Sequence, residues 1–159
     1  MKLMNLEEAK HFCASLRVKG RRVVFTNGVF DLLHAGHVEY LEKAAALGDA
    51  LVLGLNSDES VIRLDKGNGR PLCNFEDRAL VLSALRCIDC VVSFDEDTPF
   101  DLIQTLEPDV LVKGADYEIH QIVGAKETLA RGGKVQCVAL RAGRSTSALV
   151  DKIRRLPTD

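Results

Sequence analysis

Apolar positions along the chain recur in two rhythms that alternate from one end to the other. Leu6, Ala9, Cys13 and Leu16 fall at helical spacing behind Asn5, an N-cap followed three residues on by Glu8, and predict an opening helix that runs to Gly20. Val23, Val24 and Phe25 then form a short β-branched and aromatic run, which predicts a buried strand ended by the turn at Asn27-Gly28. From Gly36 the spacing of Val38, Leu41 and Ala45 is helical again, with Gly48 placed for a left-handed cap. Ala50 to Asn56 is nearly continuous in apolar residues, as a parallel strand buried on both faces must be.

The alternation continues to the end. Asp58 is placed to cap a short helix carrying Val61, Ile62 and Leu64. Asn74-Phe-Glu-Asp77 opens a helix with Ala79, Leu82 and Leu85 on one stripe, and Cys90 to Phe94 reads as the third strand. Thr98-Pro99 starts a helix that Pro108 stops, and Asp109 to Lys113 is the fourth strand. Ile122 to Arg131 predicts a helix, Lys134 to Leu140 a fifth strand, and Ser145-Thr146-Ser147 the start of the last helix. Strands alternating with helices imply right-handed crossovers and a Rossmann-like α/β fold, a doubly wound parallel sheet of about five strands with helices on both faces.

Composition narrows the class. A chain of 159 residues, 47% hydrophobic, fits a single domain over residues 1–159. Net charge is −2 with acids and bases interspersed, which leaves no basic field for a nucleic acid, so small molecules are the expected partners. The apolar runs are too short to span a bilayer and the first residues lack a signal peptide's apolar core, so no membrane association and a cytoplasmic location are expected. Five scattered cysteines suit reduced thiols. Cys87 and Cys90 have the spacing of a zinc knuckle or redox pair, but no second pair accompanies them, and Cys90 falls in a predicted strand, which makes both packing residues.

The chemistry concentrates at His34-Ala-Gly-His37. Two histidines three apart at a helix start point the same way, and there the free amides and the positive end of the dipole already favour an anion. Imidazole donors at that place can follow charge developing on a phosphoryl group. A zinc site is the weaker reading, because His11 and His120 sit on predicted helix surfaces and no third ligand is at hand; no metal ligand is assigned. Ser145, Thr146 and Ser147 put hydroxyls at another helix start, suited to capping, to phosphate, or to both. Lys66-Gly-Asn-Gly-Arg70-Pro71 is either a solvated turn or a cationic loop that closes over an anionic substrate. Arg78 in the first turn of its helix is placed against the dipole, which points to a role other than helix stability or to a pairing with Glu76 or Asp77. Lys113-Gly114-Ala-Asp116-Tyr117 forms a charged loop at a carboxyl strand edge, where open α/β sheets bind ligands. Neither a Gly-x-Gly-x-x-Gly turn nor a P-loop is present, so phosphate must be held differently.

With these residues in place, the chain resembles the nucleotidyltransferase superfamily of cytidylyltransferase type over almost its whole length. Asn56-Ser-Asp58, Arg70-Pro71, Glu76-Asp-Arg78, Asp95-Glu-Asp-Thr-Pro99, Leu111 to Tyr117 and Gly143-Arg-Ser-Thr146 resemble in particular the heptose 1-phosphate adenylyltransferases of the ADP-heptose pathway. The resemblance implies transfer of AMP from ATP to D-glycero-β-D-manno-heptose 1-phosphate, with Mg²⁺ accompanying ATP, for lipopolysaccharide cores. It implies that His34 and His37 stabilise the α-phosphoryl transition state, that Phe30 lies near the nucleotide and that Ser145, Thr146 and Ser147 hold its phosphates. In an in-line displacement Lys66 and Arg70 are then expected at the acceptor phosphate and Lys113 or Arg144 at the triphosphate, with Lys113 counted as catalytic, Thr26, Asn27, Gly28, Gly36, Arg78, Gly114 and Asp116 in the nucleotide site, and Asp31, Asn56 and Asp58 in the substrate site. Such domains are often fused to a sugar kinase, which nothing here resembles, so a separate chain or an excised domain is expected, and superfamily members are often homodimers or higher homo-oligomers. Gly114-Ala115 stands where relatives often have two glycines, and Arg144 where they carry an apolar residue or cysteine. The rivals are a cytidylyltransferase acting on glycerol 3-phosphate with CTP, which would share the histidine motif, and a nucleotide-binding sensor without turnover.

Overall fold

The apolar run that was expected to be buried on both faces lies in the interior of the sheet. The computed structural model of the chain describes residues 2–64, 69–114, 118–139 and 143–157. Strands β1 (Leu3–Met4), β2 (Val23–Gly28), β3 (Ala50–Asn56), β4 (Cys90–Phe94), β5 (Val110–Gly114) and β6 (Lys134–Val138) form a six-stranded sheet in the order β1-β4-β3-β2-β5-β6. Every pairing is parallel. The sheet has one strand more than the pattern predicts, because β1 is only two residues long and shows its nature only by pairing with Val91 and Val92 at the edge.

Helices α1 (Leu6–Val18), α2 (Ala35–Ala45), α3 (Asp58–Arg63), α4 (Phe75–Ala84), α5 (Phe100–Leu106), α6 (Ala125–Ala130) and α7 (Thr146–Arg154) connect or follow the strands. Alternate strand residues feed two cores. Phe25, Val52 and Val92 pack with Cys13 and Leu16 of α1 and Ile103 and Leu106 of α5, whereas Val24, Leu51, Leu53 and Val91 pack with Leu41 and Ala44 of α2 and Ala79 and Leu82 of α4. Cys90 is buried in β4 as a small hydrophobe, and burial pushes its thiol up to about 12, which keeps it protonated. The helix expected from Ile122 begins only at Ala125, after a 3₁₀ turn at Ile119–Gln121.

An aspartate stands immediately before each of β3, β4 and β5, and its carboxylate accepts an N–H from the neighbouring strand. Asp49 takes Arg22 N at 2.7 Å, Asp89 takes Leu51 N at 2.8 Å and Asp109 takes Val23 N at 2.7 Å. These bonds satisfy amides at the amino edge that the ladder leaves over.

Two local expectations are corrected here. Gly48 does not form a left-handed cap: α2 ends at Ala46 in right-handed geometry, and Gly48 is absent from the positive-φ glycines among the described residues. A Cβ on Gly48 would stand 2.5 Å from Val24 Cγ2 and 2.9 Å from the Arg22 carbonyl oxygen, so it is close approach of the chain to β2 that requires glycine. Asp58 is not the cap of α3; Ser57 is, accepting from Ser60 N.

Asp58 serves Arg78 instead. Arg78 is 2% exposed. Its Nε donates to Cys73 O at 3.0 Å, Nη1 to Val29 O at 2.7 Å, and Nη2 both to Asn56 O at 2.9 Å and to Asp58 Oδ1 at 2.6 Å. The guanidinium expected at the nucleotide is thus spent within the protein, and its carboxylate partner is Asp58 rather than Glu76 or Asp77. The loop after β2, the end of β3 and the starts of α3 and α4 all meet on this one side chain. Replacing Arg78 with Met should cost about 3–5 kcal/mol, because Asp58 and three carbonyl oxygens lose a charged donor together; a urea unfolding midpoint close to that of the parent protein would contradict this.

Candidate active site

The order of the sheet reverses at β2, which has β3 on one side and β5 on the other. The carboxyl ends of β2 and β5 therefore flank the switch point, where doubly wound sheets leave a ligand crevice. Lys113 near the end of β5 donates to Asn27 Oδ1 near the end of β2 at 2.8 Å and so bridges this point.

Beyond Gly28 the chain makes a tight passage. Phe30 is held at φ 47°, a left-handed conformation uncommon outside glycine, with its ring over Gly28 and edge-on to His37 at 5.2 Å between centroids. His34 is the N-cap of α2: its Nδ1 accepts from His37 N at 3.3 Å. The two imidazoles stack with centroids 3.8 Å apart and an interplanar angle of 14°. The expected shared face is therefore real. Gly36 permits it, since a Cβ there would lie 3.1 Å from His34 ring atoms and from Arg144 Cβ.

Electrostatics follow from this packing. Burial, with His34 as neighbour, pulls the His37 imidazole down to about 4, and burial together with the Arg144 guanidinium lowers His34 as well. Both rings are neutral at neutral pH. Because His34 Nδ1 is an acceptor, its proton sits on Nε2, which leaves that N–H as a donor. His37 Nδ1 is buried without a hydrogen-bond partner among the described residues.

His37 faces a crevice with Phe30, Asp31, Arg70, Thr146 and Ser147. Ser145 caps α7 by accepting from Ala148 N, and Thr146 Oγ1 donates to Leu32 O at 3.5 Å, which draws the start of α7 against the loop before α2. Arg70 is held there by Asp31, with Nη1 2.6 Å from Oδ2, while the other carboxylate oxygen takes Leu72 N and Cys73 N. Asp31, expected at the substrate, is thereby a loop anchor.

The expectations for Thr26 and Asp58 are corrected by the partners their side chains take. Thr26 is 0% exposed and its hydroxyl bonds the Tyr40 hydroxyl at 2.7 Å, so its side chain does not face a ligand. Asn56 is 3% exposed and lines the cleft on the other side of Val29, its Nδ2 donating to Ser60 Oγ and its backbone carbonyl accepting from Arg78. Asp58 is occupied by Arg78 and Phe75 N. Lys66 and Asp116 lie outside the described residues, and Gly114 ends β5 beside Lys113.

A second cleft of about 270 Å³ opens on the other side of Val29, lined by Asn27, Lys113, Asp97, Thr98 and Gln121 over an apolar floor that includes Phe94 and Leu111. Asp97, Thr98 and Gln121 are not among the site residues that the sequence points to. Their signal was positional: Asp97 and Thr98 follow the carboxyl end of β4, the edge at which such sheets bind ligands.

A doubly wound parallel sheet with paired histidines opening the helix behind its central strand defines a nucleotide-handling α/β domain. The chain belongs to the cytidylyltransferase-like family, whose model matches residues 25–148. The bifunctional protein HldE of Citrifermentans bemidjiense is 55% identical over 152 residues, 96% of this chain and 31% of that protein. HldE of Geobacter sulfurreducens has the same identity and coverage. This chain thus spans about a third of the length of those relatives, 31% in each case. The crystal structure of the lipopolysaccharide core biosynthesis protein from Thermoplasma volcanium GSS1 matches with TM-score 0.61 and 27% identity, covering 77% of this chain and 98% of that one. A pantoate-beta-alanine ligase from Francisella tularensis, 16% identical with TM-score 0.58, shares the fold.

The depressed histidine has a measurable consequence. Between the ordinary value near 6.5 and about 4, the unfolded chain takes up a proton at His37 that the folded chain refuses, so stability falls as pH drops through that window and is unaffected by this group above it. His37→Gln should flatten the decline, and the His37 ring signals followed by NMR should titrate well below 6.5; an ordinary midpoint would contradict the burial.

Proposed function

We propose that this chain transfers AMP from ATP to D-glycero-β-D-manno-heptose 1-phosphate, releasing pyrophosphate and forming ADP-heptose for lipopolysaccharide cores. The observation that carries the reading is the stacked His34–His37 pair at the start of α2, of which His37 lines a crevice that also holds Arg70, Thr146 and Ser147. Further support comes from the family, from relatives bearing the name HldE, and from the lipopolysaccharide core biosynthesis protein among the similar structures.

In this reaction an oxygen of the sugar phosphate attacks the α-phosphorus, the bond from that phosphorus to the bridging oxygen breaks, and pyrophosphate leaves with the electron pair. No protein nucleophile is needed, because the acceptor phosphate is already anionic. The chain's part is positioning and charge stabilisation. Neutral imidazoles donate N–H groups to the oxygens that gain charge, Arg70 and Arg144 supply fixed cations, and the hydroxyls and amides at the start of α7 hold phosphate. Lys113 at the switch point meets the acceptor phosphate. Asn27, Gly28, Phe30 and Gly36 shape the passage beside the reacting group, and Gly114 and the Arg144 to Ser147 segment border the nucleotide.

Among the described residues no group of three His, Cys, Asp and Glu side chains is gathered to hold a metal, and Asp31 is fully engaged. Mg²⁺ arriving with ATP would be held through the triphosphate and would help neutralise the leaving pyrophosphate. A cytoplasmic location accompanies the use of ATP, and among the described residues no helix is long and apolar enough to cross a membrane. Self-association is supported by α7, which buries none of its residues and exposes Leu149 and Ile153 one turn apart, followed by Leu156.

His34→Ala and His37→Ala should each lower turnover by about two orders of magnitude, the usual loss for a transition-state donor, with the fold kept. Pyrophosphate release is the assay, and near-normal turnover in both would refute the assignment. In the same assay ATP should exceed CTP by well over about tenfold in kcat/KM with heptose 1-phosphate, since a wrong base leaves buried polar groups unpaired. A preference for CTP, or turnover of glycerol 3-phosphate alone, would transfer the chain to the rival specificity.

A further inference from the structure

The second cleft is polarised. One end carries Lys113, hydrogen-bonded to Asn27 at the switch point beside the histidine crevice, and the wall contributed by the loop after β4 carries Asp97 and Thr98. A carboxylate repels a phosphate but accepts hydrogen bonds from hydroxyls, whereas an ammonium does the reverse. Between them lies an apolar floor that suits the C–H face of a sugar ring.

We propose that Asp97, held by Arg63, reads the hydroxyls of the acceptor and so sets which phosphorylated polyol the enzyme takes. The inference deepens the proposed function and rests on it. Arg63, in the last turn of α3, places its Nε 2.9 Å from Asp97 Oδ1 and also donates to the Asp95 carbonyl. Its Nη2 stands 3.4 Å from the Asp95 carboxylate, which in turn accepts from the Ser57 hydroxyl. Ser60 Oγ donates to Glu96 O at 3.1 Å. The loop from Asp95 to Asp97 is thereby laced to α3, and Asp97 lines the cleft with Oδ1 held by Arg63. Side-chain exposures of 74% for Asp97 and 45% for Arg63 show that this pair does not form part of the core, so substitution there spares the fold. Arg63 acts as a positioning residue through Asp97.

The test is steady-state pyrophosphate release by the full chain, with ATP and heptose 1-phosphate varied in turn, alongside thermal unfolding of each variant. Asp97→Ala should raise the KM for heptose 1-phosphate by about tenfold or more, the loss expected when a charged acceptor of hydroxyl donors is removed, while the KM for ATP stays within about twofold and the melting temperature holds. Arg63→Met should raise the same constant less, with the same split between acceptor and ATP. An unchanged KM for the sugar phosphate in Asp97→Ala, or equal rises for both substrates, would overturn the inference while leaving the proposed function standing. A parent enzyme that turns over no sugar phosphate with any nucleoside triphosphate would overturn the proposed function, and the inference with it.

Discussion

A guanidinium cannot shed its proton to escape burial, so Arg78 can be buried only where acceptors surround it. The chain supplies them from four places: Val29 after β2, the Asn56 carbonyl at the end of β3, Asp58 at the start of α3 and Cys73 before α4. Each of these is a loop or an element end at the carboxyl edge of the sheet, where parallel strands stop pairing and backbone groups need partners. Arg78 satisfies several at once and fixes the relative positions of the segments that shape both crevices. Asp31 does the same on a smaller scale, since its carboxylate ties Leu72 and Cys73 to the loop after β2 and aims Arg70 into the histidine crevice.

On that platform the histidine pair is arranged by local constraints. His34 gives up Nδ1 to cap its own helix, which sets its tautomer, and Gly36 leaves room for the ring to lie flat against His37. Packing beneath Phe30 and behind His34 then keeps His37 neutral. Neutral donors at a helix start suit a reaction in which charge grows on phosphate oxygens, because the dipole and the amides are already oriented and need no rearrangement as the charge appears.

The reversal of strand order at β2 divides the carboxyl edge into two crevices that share Val29. One is walled by helix starts and the Arg70 guanidinium, the other by an apolar floor with a lysine and a carboxylate. The hydrogen bond from Lys113 to Asn27 ties the ends of β5 and β2 together at the switch point.

Periodicity alone determined the alternation of strands and helices, because a parallel strand buried on both faces needs an unbroken apolar run and an amphipathic helix needs a stripe. The histidine motif was equally readable, since spacing along one helix start is a local property and its result is a stack within four residues. What lay beyond the sequence were partnerships between distant segments. Leu3–Met4 is a strand only because β4 offers it an edge. Arg78, Asp58 and Thr26 carry the residue types of a binding site, yet their polar groups turn to other parts of the chain, and Asp31 and Asn56 line crevices with their side chains committed to Arg70 and Ser60. A polar residue near a strand end is compatible with either a ligand or a backbone partner. Which of the two it meets is set by the packing of helices across the sheet, and only the folded chain decides that.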